Sequence, residues 1–183
     1  MEINELKQIV EALLIATPEP LTDARFQACM GEEAVLLPLP EIVELQADYD
    51  NSDRAFFIKE VAGGFQIVTR AEYENYVKSL FSKAGKLRLS QAALETLAIV
   101  CYRQPVTRND IESIRGVSSD SSLRTLLDRK LLEIRGRDEG PGRALLYRTS
   151  AEFLQYFGLN SINDLPKLRE VEDILIEEQD ELV

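Results

Sequence analysis

YRQPVTRNDIESIRG, residues 102–116, carries the signals of a helix–turn–helix. An apolar helical stretch runs into Pro105. Thr107 then offers a side-chain oxygen that can accept a hydrogen bond from an orphan amide at a helix start. Val106 and Ile111 flank that cap as a hydrophobic staple. Gly116 can take the left-handed conformation that ends the helix.

The same signals occur earlier in the chain. EALLIATPEPLTDARFQACMG (11–31) aligns with ETLAIVCYRQPVTRNDIESIRG (95–116). Each segment opens on a Glu-led apolar helix and reaches Pro, an aliphatic residue and Thr. The second copy of the staple is Leu21 with Phe26, and the second stop is Gly31. Further on, TRAEYENY (69–76) matches TSAEFLQY (149–156). A hairpin signal precedes each: FFIKEV and FQIV around Ala62-Gly63-Gly64, then LLEIRG and ALLYR around 137–142.

Between glycine stop and hairpin, each half has room for a third helix. PLPEIVELQADY (38–49) places Ile42, Leu45 and Tyr49 on one face, with Pro40 suited to the first turn. SSDSSLRTLLDRK (118–130) places Leu123, Leu126 and Leu127 on one face behind a Ser118 or Ser119 cap. Each half thus reads helix, helix, helix, two-stranded wing, closing helix. The fold class is α+β, predominantly helical, with two tandem winged-helix domains. The expected boundaries are 1–82 for the N-terminal domain, 83–88 for a linker and 89–168 for the C-terminal domain. Leu89 and Leu94 around Ser90 form a third staple, at the start of the second domain. Residues 169–183 form an acidic tail whose composition favours disorder.

Composition narrows the chemistry. The 183 residues include no histidine, which removes the commonest general base and metal ligand. The two cysteines, Cys29 and Cys101, lie in apolar helical patterns and read as buried free thiols, not as a disulfide framework. No metal constellation, phosphate-binding loop or cofactor motif is present, and paired carboxylates such as Glu32–Glu33 read as solvated surface. Neither enzymatic activity nor a cofactor is expected. No stretch approaches the ~18 apolar residues of a membrane helix. The opening MEINELKQIVEALLIA is too acidic and too often interrupted by polar residues for a signal peptide. A cytoplasmic protein without membrane contact is expected.

Charge bears on the helix–turn–helix. The formal net charge is -11, and it is unevenly spread. Residues 1–80 carry -9, residues 81–165 carry +3 and residues 166–183 carry -5. Phosphate contacts dominate DNA affinity, so the N-terminal half is repelled by a duplex. In the C-terminal half, Arg124, Arg129, Lys130, Arg135, Arg137, Arg143 and Arg148 gather on the third helix and wing. Asp120, Asp128, Asp138 and Glu139 are mixed among them, and the third helix lacks a base-reading cluster. This pattern disfavours direct DNA binding, or leaves it weak, and sets a winged-helix DNA-binding transcriptional regulator second. Arginine with aromatic side chains equally suits a protein interface.

The chain resembles the segregation and condensation protein B family of bacteria. The resemblance rests on LSQAALETLAIVCYRQPVTRNDIESIRGV (89–117), LLDRKLLEIRGRDEGPGRALLYRTSAEFLQYFGL (126–159) and DLPKL (164–168). IVEALLIATPEPLT (9–22) and GGFQIVTR (63–70) extend it into the first half. It implies a non-enzymatic subunit of the bacterial condensin, acting in chromosome condensation and segregation. Its implied partners are a second copy, held through the N-terminal domain, and the kleisin, segregation and condensation protein A. The SMC ATPase is reached indirectly through the kleisin, and nucleoid association through the complex. On the C-terminal domain, Tyr102, Gln104, Arg108, Arg115, Arg137, Arg143 and Tyr147 are the expected kleisin contacts.

Overall fold

The computed structural model describes residues 3–31, 36–81, 89–140 and 142–167. The expected linker at 83–88 and the acidic tail at 169–183 lie outside the described residues. The chain folds as a mixture of helices and small antiparallel sheets.

The N-terminal half runs α1 (Ile3–Ala16), β1 (Leu21–Thr22), α2 (Asp23–Met30), α3 (Leu39–Asn51), β2 (Phe56–Val61), β3 (Gly64–Thr69), a 3-10 turn (Ala71–Tyr73) and α4 (Glu74–Phe81). The C-terminal half runs α5 (Gln91–Arg103), β4 (Val106–Thr107), α6 (Arg108–Arg115), α7 (Asp120–Asp128), β5 (Leu132–Arg137), β6 (Leu145–Thr149), α8 (Ala151–Phe157) and a 3-10 turn (Ile162–Asp164).

Both sheets have three strands, where the hairpin signals predict two. The extra strand is the dipeptide just before the second helix. A residue at an N-cap is extended, and its free backbone edge can pair with a neighbouring strand. Leu21 and Thr22 pair antiparallel with Phe65 and Gly64, and Val106 and Thr107 with Tyr147 and Leu146. The strand orders β1-β3-β2 and β4-β6-β5 are equivalent.

The caps differ in quality. Thr107 Oγ1 accepts from the Asp110 amide, while the Asp110 carboxylate accepts from the Thr107 amide at 3.0 Å, completing a capping box. Thr22 accepts from the Arg25 amide at 3.4 Å, without the reciprocal bond among its cap contacts. Leu21 and Phe26 share one buried cluster, and Val106 and Ile111 share the other, as the staples predict.

Each half therefore has its own core. Val10, Leu14, Leu21, Phe26, Ile42, Leu45 and Ile58 fill the first. Leu97, Val100, Ile111, Leu123, Leu126, Leu132 and Phe153 are central to the second. Full burial of each such side chain contributes about 1.5–3 kcal/mol.

Three local expectations are corrected. Cys29 is exposed, because α2 turns Phe26, and Met30 one turn on, toward the core and leaves Cys29 off that face. Cys101 is buried as expected, and burial pushes its thiol up to about 12. Leu94 lies 45% exposed while Leu89 packs on the core, so the third staple is weakened even though Ser90 does cap α5. Ser119 occupies the cap position of α7 but makes no side-chain cap bond. The Glu112 carboxylate satisfies a different group at this helix start, accepting the amide of Ser119 itself at 2.9 Å.

Gly64 serves a purpose beyond the turn. A Cβ there would lie 2.8 Å from the Leu21 carbonyl oxygen, which is backbone and cannot swing aside. Glycine lets β1 approach β3. Gly64→Ala is expected to lower stability by about 1–3 kcal/mol in urea unfolding, by forcing the strands apart.

Candidate functional site

The seven residues singled out on the C-terminal half fall into four places. Tyr102 is on α5 and Gln104 follows it. Both line a shallow groove with Ile162, Leu165 and Pro166. Tyr102 is 37% exposed, and its hydroxyl donates to the Pro166 carbonyl at 2.9 Å. Gln104 is half-buried. Its Oε1 accepts from the Thr149 amide at 2.8 Å and from Thr149 Oγ1 at 3.0 Å, which joins the end of α5 to β6.

Arg108 and Arg115 belong to the helix–turn–helix corner. Arg108 pairs with Glu112 at 2.9 Å, one turn along α6, and with Asp120 at the start of α7. The Arg115 side chain is only 6% exposed. It pairs with Glu95 of α5 at 3.1 Å and donates to Ser119 Oγ at 3.2 Å and to the Ser118 carbonyl at 3.4 Å. Both guanidiniums thus tie α6 to its neighbours. Arg115 has little surface left for a partner.

Arg137 and Arg143 bracket the β5–β6 turn, and both are exposed. Arg137 Nη1 donates to the Arg143 carbonyl at 3.1 Å, and the Asp138 amide donates to the Ala144 carbonyl at 2.8 Å. These bonds stiffen the base of the turn; the Arg137 guanidinium is one of the groups that make them, and both side chains stay exposed. Tyr147 lies on β6 but is 8% exposed and part of the C-terminal core. Its backbone pairs with Val106 of β4 on one side and Ile134 of β5 on the other.

The residue reading passed over Gly136. Ile134 pairs with Tyr147 and Gly136 with Leu146, so Arg135 is one residue too many on β5. Such a bulge re-aims a side chain. The Arg135 side chain reaches a groove of about 740 Å³ that also receives Arg148, Gln104, Pro105 and Thr149. A glycine inside a strand pattern was the available signal.

Electrostatics separate the two third helices. The exposed positions of α7 include Asp120, Arg124 and Asp128, so carboxylates outnumber the guanidinium. Those of α3 include Glu44, Asp48 and Asp50. That helix also exposes Leu39 (54%) and Val43 (68%), four residues apart and so on one face. Glu112 is held below the usual carboxylate range, first by the Ser119 amide and then by Arg108. Asp110 is lowered by the Thr107 hydroxyl and amide. Among the described residues, no group of three or more His, Cys, Asp or Glu converges as a metal site. No described helix is long and apolar enough to cross a membrane.

A family model described as segregation and condensation complex subunit ScpB matches residues 8–168. The chain belongs to this family. Segregation and condensation protein B of Symbiobacterium thermophilum is 49% identical over 166 residues, 89% of this chain and 74% of that protein. Its counterpart in Syntrophotalea carbinolica is 44% identical over 180 residues, 98% of this chain and 90% of that protein. The crystal structure of ScpB from Mycobacterium tuberculosis is 34% identical and covers 87% of this chain and 98% of that one, with a TM-score of 0.40. Membership in the ScpB family implies a role in chromosome segregation and condensation.

The corner around Glu112 has a pH signature. Its folded pKa is lowered, so its contribution is complete above the unfolded value, about 4.3, and is lost as pH falls through the folded value. Glu112→Gln should lower the Tm at pH 7. The gap from wild type should narrow below about pH 4, where the wild-type carboxylate itself becomes protonated. Calorimetric scans across that range check both parts.

Proposed function

We propose that the chain is a dimeric, non-enzymatic adaptor of the bacterial SMC–kleisin condensin, built from two tandem winged-helix domains. Residues 1–82 supply self-association. Residues 89–168 grip the kleisin, segregation and condensation protein A, and reach the SMC ATPase through it. The observation that carries this reading is the unequal surface of two halves with the same element order. The N-terminal half is acidic and exposes Leu39, Val43 and Ile15. The C-terminal half projects Arg137 and Arg143 from its hairpin and carries Tyr102 in a groove at the end of α5.

Apolar side chains repeated along one helix face suit a self-complementary contact between copies. Exposed guanidiniums beside an aromatic ring suit a peptide carrying carboxylates and apolar anchors. On the C-terminal side the proposed contact centres on Tyr102, Arg137 and Arg143, with Arg108 at its margin. Gln104, Arg115 and Tyr147 act by holding the surface in shape. A winged-helix DNA-binding regulator is the weaker reading, since both third helices present more carboxylates than cations and would repel phosphate.

Two experiments test the two halves of the proposal. Arg137→Glu with Arg143→Glu should weaken binding to the kleisin's middle segment about tenfold or more, with an unchanged circular dichroism spectrum. An unchanged affinity in the folded variant would remove the hairpin from the contact. Leu39→Glu with Val43→Glu should move the protein from dimer to monomer in sedimentation velocity, because charge is poorly tolerated at an interface core. A dimer that survives both changes places self-association elsewhere.

A further inference from the structure

The tip of the β2–β3 hairpin does not end in solvent. Val61 pairs with Gly64, so Ala62 and Gly63 are the two central residues of the turn, with φ of 51° and 73°. In a two-residue hairpin of this kind the central amides have no partner within the hairpin. Here both find one in the other half of the chain. The Ala62 amide donates to the Leu159 carbonyl at 2.9 Å, and the Gly63 amide donates to Asn160 Oδ1 at 2.8 Å. Asn160 Nδ2 in turn donates to Glu60 Oε1 at 2.7 Å. One carboxamide therefore accepts from the turn and donates to the strand leading into it.

The segment that receives the tip is itself held. Gly158 ends α8 in the left-handed conformation and turns the chain outward. The amides of Asn160 and Ser161 both donate to Asp164 Oδ2, at 2.9 and 2.8 Å. A second contact lies one turn back on α8, where Gln155 Nε2 donates to the Pro18 carbonyl at 3.1 Å. Gln66 of β3 binds the same carbonyl at 2.7 Å, so that oxygen joins the two halves. Ala62 and Gly63 form one wall of the 740 Å³ groove, and Gln104, Pro105 and Ile162 form the facing wall.

We propose that the β2–β3 tip and the 158–161 segment are a latch that sets the arrangement of the two halves and closes the groove between them. Its bonds are exposed and polar, so each competes with water and contributes little alone. Contacts of that character between units permit relative motion, and the latch opens and closes with both states populated.

Amide hydrogen exchange resolved by NMR on the full chain tests this. In the wild type, the Ala62 and Gly63 amides should exchange about tenfold or more slowly than in an unstructured chain. Asn160→Ala should return Gly63 to near the unstructured rate and speed Ala62, while the amides of Val100 and Leu126 in the C-terminal core keep their protection. Unprotected Ala62 and Gly63 in the wild type would overturn the latch, whatever the variant does. Full protection of both in a folded Asn160→Ala protein would overturn it as well. Neither readout uses a partner, so failure here leaves the adaptor reading untouched, and failure of kleisin binding leaves the latch untouched.

Discussion

Each half of this protein depends on a two-residue extended step before its second helix. Leu21-Thr22 and Val106-Thr107 each make three connections at once. The threonine caps the helix that follows, the aliphatic residue enters the core, and the backbone becomes the third strand of the sheet. The step therefore fixes where the second helix starts and where the hairpin lies against it. Gly64 reflects the same constraint from the opposite side, since only a residue without a side chain lets β3 come this close to Leu21. In the C-terminal half the corner is reinforced by charge: Glu112 accepts the Ser119 amide at the start of α7, and Arg108 and Arg115 bind α6 to α7 and α5.

That reinforcement bears directly on function. A guanidinium engaged in two or three internal contacts is poorly placed to recruit a partner, because binding would first have to break what holds the corner together. The cations on the hairpin are under a different constraint. Among the described residues, Arg137 makes a single guanidinium bond across the turn, to the Arg143 carbonyl, and both side chains stay exposed. The two halves share an element order and divide their surfaces, one acidic with exposed aliphatic side chains, the other with exposed arginines on its hairpin and an aromatic ring in a groove at the end of α5. On the proposed reading, one surface meets a second copy of the chain and the other meets the kleisin.

Much of the fold was legible in the residues because it rests on local rules. Threonine caps, staples, stop glycines and hairpin turns each act within a few positions, and their recurrence in one order exposed the repeat. The third strand of each sheet was not legible. Two residues carry no periodicity, and their pairing is set by a hairpin more than 35 residues away. Burial of individual side chains was only partly readable. Cys29 looks apolar in its helix, yet α2 turns Phe26 and Met30 inward instead, and Tyr147 looks like surface near the wing until it is seen within the C-terminal core. Arg115 could not be told from a contact residue because its partner Glu95 lies 20 positions back. The latch joins residues about 100 positions apart, beyond any spacing rule.

The most direct measurement is a calorimetric titration of the full-length protein with the middle segment of its cognate kleisin, repeated at several temperatures. The account predicts saturable binding at one kleisin segment per two chains, with a negative heat-capacity change from buried apolar surface. No heat at any temperature would contradict the adaptor role. Binding at one segment per monomeric chain would contradict the assignment of the N-terminal surface to self-association.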